Sequence, residues 1–234
     1  MTGQEDCRFV GDIAAQVQDY LDRTEDTFPS GSDLYYARKA LFVALNSYKH
    51  GHFGIGAVAV VRSGNAADLF YGENGMAKPN AIIEHAEIRA LLRIAAGETP
   101  DHTIKLAKPS QQTATTYRDE IETTVYGTIE PCPMCACAMT NAGVRRSVST
   151  CMDGKLERNG DYLVSSGAAN VLADKYETQP QIWRDIQQIR GLRFELLTPT
   201  NQELHDLSWG IMTASRNKVD QVLATRPPLG TKRS

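Results

Sequence analysis

His85-Ala86-Glu87 and Glu130-Pro131-Cys132-Pro133-Met134-Cys135 are the two stretches that decide how this chain of 234 residues folds and what it can bind. As patterns they are H-x-E and P-C-x-x-C. The imidazole of His85 and the thiolates of Cys132 and Cys135 are good zinc ligands. Structural zinc sites usually have four protein ligands, whereas catalytic sites have three and leave a position for water. Three strong ligands with the carboxylate of Glu87 beside them therefore indicate a catalytic Zn²⁺ site.

Both ligand pairs are predicted at the N-termini of helices. Residues i and i+2 lie about 200° apart around a helix, so His85 and Glu87 converge only in a first turn, where side chains lean toward the N-terminus. The apolar pattern after His85 predicts a helix that begins near Ile83. Pro133 suits a first helical turn, which places both cysteines at the start of a second helix. The positive ends of the two helices favour thiolates and other anions.

Two other interpretations of the same residues stay open. One is a core histidine with buried thiols and no metal. The other is a purely structural zinc site with Cys137 as its fourth ligand. Cys137 lies about 200° further around the helix than Cys135, so it points away from a metal at the helix tip. We therefore interpret Cys137 as a small core residue.

Composition and charge exclude several classes of protein. The chain is 41% hydrophobic and 23% charged, as ordinary globular proteins are. A net charge of −3 argues against a broad phosphate-binding surface. The N-terminus shows no secretory signal, and the most apolar run, 55–61, is too short to span a bilayer. Three of the five cysteines are clustered, which favours a reducing compartment over a disulfide framework. We therefore expect a cytoplasmic protein that does not act at a membrane.

Helices and strands are predicted from apolar periodicity and from capping residues. The five predicted strands cover 55–61, 69–72, 123–129, 144–150 and 192–197. The predicted helices cover 9–23, 32–49, the stretch after 83, 134–141, 168–188 and the stretch after 201. Ser32 and Asn201 are predicted N-caps. The strand that ends at 129, the helix after it and the next strand predict a parallel crossover.

The domain organisation is predicted as one domain with additions at both ends. A helical extension covers 1–31, the main domain covers 32–225, and a flexible tail covers 226–234. Within the domain, the polar stretch 97–120 is predicted to be irregular and to serve packing or assembly, because it leaves the far end of the His85 helix.

Several aromatic and histidine side chains have two possible roles. Tyr162, in the loop 154–167, is either a lid or stacking residue or a plain surface tyrosine. His50 and His52 are expected to be exposed loop residues, although either could approach the metal site. Trp209 and His205 belong to a helix whose apolar stripe we expect in the core, with a position in a substrate pocket as the alternative.

With these elements placed, the chain resembles the cytidine-deaminase-like superfamily. Glu130-Pro131-Cys132-Pro133-Met134-Cys135 and the strand start Ile55-Gly56-Ala57 resemble its guanine deaminase, cytosine deaminase and tRNA adenosine deaminase branch. The resemblance covers about residues 33 to 152. It implies an α/β fold, namely a three-layer α/β/α arrangement around a mixed five-stranded sheet. It also implies a homodimer.

The resemblance also assigns roles to residues. It implies that His85, Cys132 and Cys135 hold Zn²⁺ and that Glu87 is the catalytic proton shuttle. It implies that Asn74 and the backbone of Ala86 contact the substrate. From the residues alone, Asn74 is either a turn former or a side chain whose amide binds a ring heteroatom or a ribose hydroxyl. Ile55 and Glu130 are two further candidates for substrate contact.

The implied reaction is hydrolytic deamination, in which Glu87 takes a proton from water and returns protons to the ring nitrogen and to the departing ammonia. We expect the substrate to be a nucleobase, a nucleoside or a related small heterocyclic amine, read by the loops 50–54, 73–84 and 154–167. The alternative is an enzyme that edits tRNA or single-stranded nucleic acid. The negative net charge of the chain disfavours this alternative. The third hypothesis is a non-catalytic binding protein stabilised by zinc.

Overall fold

The computed structural model describes residues 12–77, 81, 83–106, 122–151, 155–156, 162–163, 192–197 and 201–224. In these ranges there are five helices: α1 (Ile13–Arg23), α2 (Asp33–Lys49), α3 (Ala86–Ala95), α4 (Pro133–Asn141) and α5 (Gln202–Ala224). The strands are β1 (Gly56–Ser63), β2 (Ala66–Glu73), β3 (His102–Lys105), β4 (Glu122–Ile129), β5 (Arg146–Cys151), β6 (Lys155–Leu156), β7 (Tyr162–Leu163) and β8 (Arg193–Leu196). None of the helices described combines the length and the apolar character needed to cross a bilayer.

The main sheet is mixed and has six strands in the order β3-β2-β1-β4-β5-β8. The neighbouring pairs β3–β2, β2–β1 and β1–β4 are antiparallel. β4, β5 and β8 run parallel, as predicted for the crossover between β4 and β5. The prediction of five strands missed β3, which lies inside the stretch predicted to be irregular. Only Ile104 is buried in this four-residue strand, so the sequence shows too short an alternation to reveal it. β6 and β7 form a separate antiparallel pair.

Helices cover both faces of the sheet, which confirms the predicted α/β/α layers. Alternate residues of β1 face opposite layers. Val58 and Val60 pack in the core between the sheet and α2, whereas Ala57 and Ala59 pack against α3 and α4. Outside α2 lies a second core, shared by α1, α2 and α5, whose buried members include Val17, Tyr20, Leu41, Leu45, Leu204, Leu207 and Ile211.

The predicted N-caps are confirmed, and one predicted helix start is corrected. Ser32 Oγ accepts a hydrogen bond from Tyr35 N (3.2 Å), and Asn201 Oδ1 accepts one from Leu204 N (3.0 Å). α3 begins at Ala86 and not near Ile83, because His85 has extended backbone angles and occupies the N-cap position. This shift places the imidazole just outside the helix.

A group of charged side chains ties α2 to three strands at the end of the sheet where β5 begins. The Arg146 guanidinium donates to both carboxylate oxygens of Asp33 (2.7 and 2.8 Å) and pairs with Glu195. Tyr126 OH donates to Asp33 Oδ1 (2.7 Å). The hydrogen bonds from Arg146 lower the pKa of the Asp33 carboxyl below its ordinary value. The folded state therefore favours the ionised form of Asp33.

Replacing Arg146 with methionine is expected to lower the free energy of unfolding by about 1–2 kcal/mol at pH 7, because the lost pairs are charged but partly exposed. A carboxyl with a depressed folded pKa contributes stability above its unfolded pKa of about 3.9 and loses that contribution as the pH falls through the folded pKa. The difference between the two proteins should therefore shrink below about pH 4. Urea denaturation of both proteins between pH 7 and pH 3 measures this difference in the free energy of unfolding. A difference that does not change with pH would contradict the pairing of Arg146 with an ionised Asp33.

Candidate metal centre

The register of the sheet brings three distant chain segments to one edge. β1 runs antiparallel to both β2 and β4, with Gly56 opposite Glu73 and Ala57 opposite Gly127. The start of β1 therefore lies beside the ends of β2 and β4. β2 ends one residue before Asn74, and β4 ends three residues before Cys132. The residues singled out from the sequence motifs therefore lie at this edge.

Two helix N-termini meet at this edge with ligand side chains at their tips. His85 is the N-cap of α3 and Cys132 is the N-cap of α4, both with extended backbone angles. Neither side chain caps its own helix. Cys132 Sγ lies 3.5 Å from His85 Nδ1 and 3.5 Å from Cys135 Sγ. The sequence prediction that the two motifs meet at helix starts is therefore confirmed in geometry.

The distances between these atoms fit a single tetrahedral zinc ion. Bonds of about 2.3 Å to sulfur and about 2.0–2.1 Å to nitrogen place two sulfurs about 3.8 Å apart and a sulfur and a nitrogen about 3.6 Å apart. The ligand atoms of His85, Cys132 and Cys135 all lie within 4.8 Å of one another. Among the residues described, no other group of His, Cys, Asp and Glu side chains is arranged to hold a metal ion. The donor set, one imidazole and two thiols, suits Zn²⁺.

Cys137 is exposed, so the prediction that it is a core residue is wrong. The rotation of about 200° that turns it away from the metal also turns it away from the sheet, toward the outer face of α4. The same position keeps Cys137 out of the metal cluster. The described residues therefore bring three protein ligands to the cluster.

Glu87 completes the group from the first turn of α3. Its side chain is buried, and its Oε2 lies 3.4 Å from Cys135 Sγ. Burial, with the charge of Cys132 as a second cause, raises the pKa of Glu87 to about 7. Burying a carboxyl costs free energy, and the interaction with His85 offsets this cost only in part. A buried carboxyl with a raised pKa beside a metal cluster is a candidate functional group.

The two thiols have opposite pKa shifts. Hydrogen bonding with Cys135 and with His85 lowers the pKa of Cys132 to about 4. The interaction with Cys132, together with burial, raises the pKa of Cys135. The half-buried Cys132 at the positive end of α4 is thus the sulfur that most readily carries a negative charge.

The position of α3 depends on a glycine in the strand beneath it. An ideal Cβ at Gly72 would lie 2.0 Å from Ala86 O and 2.7 Å from Ala90 N. Only a residue without a Cβ lets the first turn of α3 sit this close to β2. Because His85 and Glu87 flank Ala86, this contact sets the height of both side chains above the sheet.

Gly72→Ala is therefore expected to push the start of α3 outward, to lower the free energy of unfolding by about 1–3 kcal/mol and to weaken retention of zinc. Gly56→Ala is the matched control, because a Cβ there would lie 2.3 Å from Ala40 O, on the α2 side of the same sheet. Both variants should lose stability, but only Gly72→Ala should lose zinc during dialysis against a chelator, measured by metal analysis. Equal zinc retention in the two variants would contradict this role of Gly72.

The four residues predicted to contact substrate are all at or near this edge. Asn74 is buried, and its neighbour Gly75 donates a backbone hydrogen bond to Glu84 O (2.8 Å), next to His85. Ile55 and Cys132 both pack against the core cluster that contains Ala86 and Cys135. Ala86 itself is buried, and Glu130 is half-exposed two residues before Cys132. Contact of these residues with a substrate stays a prediction.

The two loop histidines differ from each other. His50 is exposed, as predicted, and its Nδ1 lies 3.0 Å from Glu73 Oε2. His52 is buried, so the prediction of an exposed side chain is wrong for it. The reason is that the loop folds back onto α2, where His52 N donates to Ser47 O (3.0 Å).

The final helix is largely core, as predicted. Trp209 is half-buried and packs beside Ile55, Ile129 and Cys151, at the same edge of the sheet as the cluster. His205 Nδ1 lies 2.9 Å from Asp206 Oδ1.

Sequence reasoning missed Ser47, which is buried near the end of α2 and whose Oγ contacts the backbone carbonyls of Phe53 and Asn74. A single serine in a helix gives no pattern from which such contacts can be predicted. Several predicted features lie outside the described residues. They are most of the loop 154–167, the side chain of Tyr162, the predicted helix 168–188 and the tail 226–234.

Comparison with known proteins gives one family match and several distant structural similarities. The model of the family described as "Cytidine and deoxycytidylate deaminase zinc-binding region" matches residues 30–151, just over half of the chain. A search of curated proteins finds no match.

Three solved structures illustrate the structural similarities. A guanine deaminase from Nitrosomonas europaea is 15% identical, with 86% of this chain and 92% of that chain covered and a TM-score of 0.45. A tRNA:A34 deaminase is 19% identical, with 76% and 99% covered and a TM-score of 0.45. The dCMP deaminase of cyanophage S-TIM5 is 15% identical, with 73% and 100% covered and a TM-score of 0.40. At these values the likenesses indicate no substrate.

Proposed function

The chain belongs to the cytidine and deoxycytidylate deaminase zinc-binding family, and we propose that it is a zinc-dependent hydrolytic deaminase of a nucleobase, a nucleoside or a related small heterocycle. One observation carries the proposal. Three good zinc ligands converge at two helix tips, and the buried carboxyl of Glu87 lies 3.4 Å from one of them. The family match alone would leave catalysis open, because a zinc-binding region can also be structural.

His85, Cys132 and Cys135 would hold the ion, and zinc bound there would act as a Lewis acid that acidifies a water molecule. Glu87 would accept a proton from that water and deliver protons to the ring nitrogen and to the leaving amine. In the balanced reaction, a C–O bond forms at the ring carbon, the exocyclic C–N bond breaks, and ammonia leaves. Burial raises the pKa of Glu87 toward neutrality, which suits a group that must both accept and return protons.

Asn74 supports a substrate that offers a hydrogen-bond acceptor. Its Oδ1 accepts a hydrogen bond from Met76 N (2.9 Å), which fixes the orientation of the side-chain amide. With Oδ1 engaged in this turn, Nδ2 would be the group of the amide that donates to a ligand. Ring nitrogens and carbonyl oxygens of nucleobases are acceptors of the required kind.

A small substrate is favoured over a nucleic acid by the charge of the chain. Enzymes that act on a flipped base hold the flanking strand in a cationic groove. The net charge here is −3, with 25 basic and 28 acidic residues. Editing of tRNA is therefore the second candidate, and RNA binding that weakens steeply with salt would favour it.

The test is an ammonia-release screen over guanine, cytosine, adenine, their nucleosides and a tRNA anticodon stem, run on the zinc-loaded protein. We expect release from at least one free base or nucleoside and none when Glu87 is replaced. Release from the anticodon stem alone would overturn the small-molecule proposal in favour of the editing enzyme. Absence of release from every compound, with zinc bound, would favour the non-catalytic zinc protein.

A further inference from the structure

Ser47 lies where α2 ends and touches two segments at the edge that carries the metal cluster. It is fully buried. Its Oγ lies 2.7 Å from Phe53 O and 2.9 Å from Asn74 O, and it can donate its one proton to either carbonyl. The hydroxyl thus bridges the loop before β1 and the residue that follows β2.

Ser215 of α5 contacts the same loop. It is buried in α5, and its Oγ accepts a hydrogen bond from Gly54 N (2.9 Å) and donates one to Met212 O (2.6 Å). The backbone of α5 also lies close to Gly54, because a Cβ at Gly54 would lie 2.7 Å from Ile211 O. The turn between α2 and β1 is therefore hydrogen-bonded to side chains of both helices, α2 and α5.

The held turn is connected to Asn74 through the backbone. Asn74 N donates to Ile55 O (3.2 Å), and Ile55 N donates to Phe53 O (2.7 Å). On the other side of Asn74, Gly75 N donates to Glu84 O beside His85. Any shift of the turn would therefore move Asn74 relative to the metal ligands.

We infer that Ser47 and Ser215 are positioning residues that fix Asn74 and Ile55 against the metal cluster, so that the Asn74 amide meets the substrate at a set height. The inference rests on the proposed function for its kinetic consequence, but the positioning itself is a property of the fold. Neither hydroxyl takes part in the reaction. Their loss should weaken substrate binding without removing the metal.

The experiment compares Ser47→Ala and Ser215→Ala with Ser208→Ala. Ser208 is an equally buried hydroxyl of α5, but it lies 2.8 Å from Thr150 Oγ1 and does not contact the turn in the described structure. The substrate is the compound from the screen that releases ammonia fastest. We expect a KM about five- to thirtyfold higher for the two test variants, with kcat within about twofold and zinc content unchanged. Ser208→Ala should match them in lost thermal stability but keep the wild-type KM.

A second readout does not depend on activity. Hydrogen exchange of the zinc-loaded proteins should be faster than wild type in peptides that cover 53–55 and 74–76 for both test variants, and unchanged there for Ser208→Ala. Wild-type exchange rates in Ser47→Ala and Ser215→Ala would overturn the inference, as would an equal rise in KM for the control. If no compound is deaminated, the proposed function fails. Hydrogen exchange still tests whether Ser47 and Ser215 position Asn74 and Ile55.

Discussion

Glu87→Gln is expected to lower kcat by about 10²- to 10⁴-fold, the contribution that a positioned general acid and base usually makes. The amide has nearly the same shape as the carboxyl, so it should fit the buried space beside Cys135. It cannot take a proton from water and return it to the substrate. Zinc content and the melting temperature should therefore stay close to wild type while turnover collapses. Steady-state ammonia release and metal analysis on the same preparations measure the two effects.

Glu84→Gln is the control for this variant. Glu84 precedes His85 in the chain, is partly exposed and lies 3.9 Å from the guanidinium of Arg89. Its neutralisation should leave kcat within about threefold of wild type, as is usual for a surface pair. Glu87→Gln with wild-type turnover would remove the carboxyl from the mechanism. Glu87→Gln without zinc would mean that the carboxyl supports the metal site and not the proton transfer.

Cys132→Ser is expected to weaken zinc binding by at least about a hundredfold, because even the loss of a supporting hydrogen bond to a zinc ligand weakens affinity by tenfold or more. A serine hydroxyl is a poor replacement for the sulfur whose pKa is lowered to about 4 and which contacts both other ligands. Ammonia release should be lost together with the metal. The melting temperature should also fall toward that of the protein treated with a chelator, because a bound ion stabilises only the folded state.

Cys137→Ser is the matched variant on the same helix. Cys137 is exposed and outside the cluster, so its substitution should leave zinc content, activity and melting temperature unchanged. Metal analysis after dialysis against a chelator separates the two cysteines directly. Loss of zinc from Cys137→Ser would point to a closed, four-ligand structural site. Retention of zinc by Cys132→Ser would show that the motif does not hold the metal as proposed.

The chemistry of the site could be predicted from the sequence because its signals are local. His85 and Glu87 are two residues apart, and Cys132 and Cys135 are three apart across a proline. Ligand type and spacing within one helical turn therefore determine which atoms can converge. The caps at Ser32 and Asn201 and the alternation in β1 are local in the same sense. These features follow from backbone geometry within a few residues.

Other features depend on contacts that no local pattern records. The hydrogen bond between Gly54 and Ser215 joins residues 161 apart, and Ser47 reaches Asn74 across 27 residues. The burial of His52 likewise follows from how a loop packs on a helix, and β3 joins the main sheet by pairing with β2. Such positions are decided by the register of strands and by close approaches, as at Gly72.

The sequence by itself thus determined that one imidazole, two thiols and a carboxyl stand at the starts of two helices, since those placements need only short-range backbone preferences. Only the tertiary structure decided the distances at which the two helix starts meet and the backbone hydrogen bond that holds Asn74 and Ile55 together beside them. The physical reason is that the meeting of two helix tips depends on a sheet register and on packing distances set by residues far away in the chain.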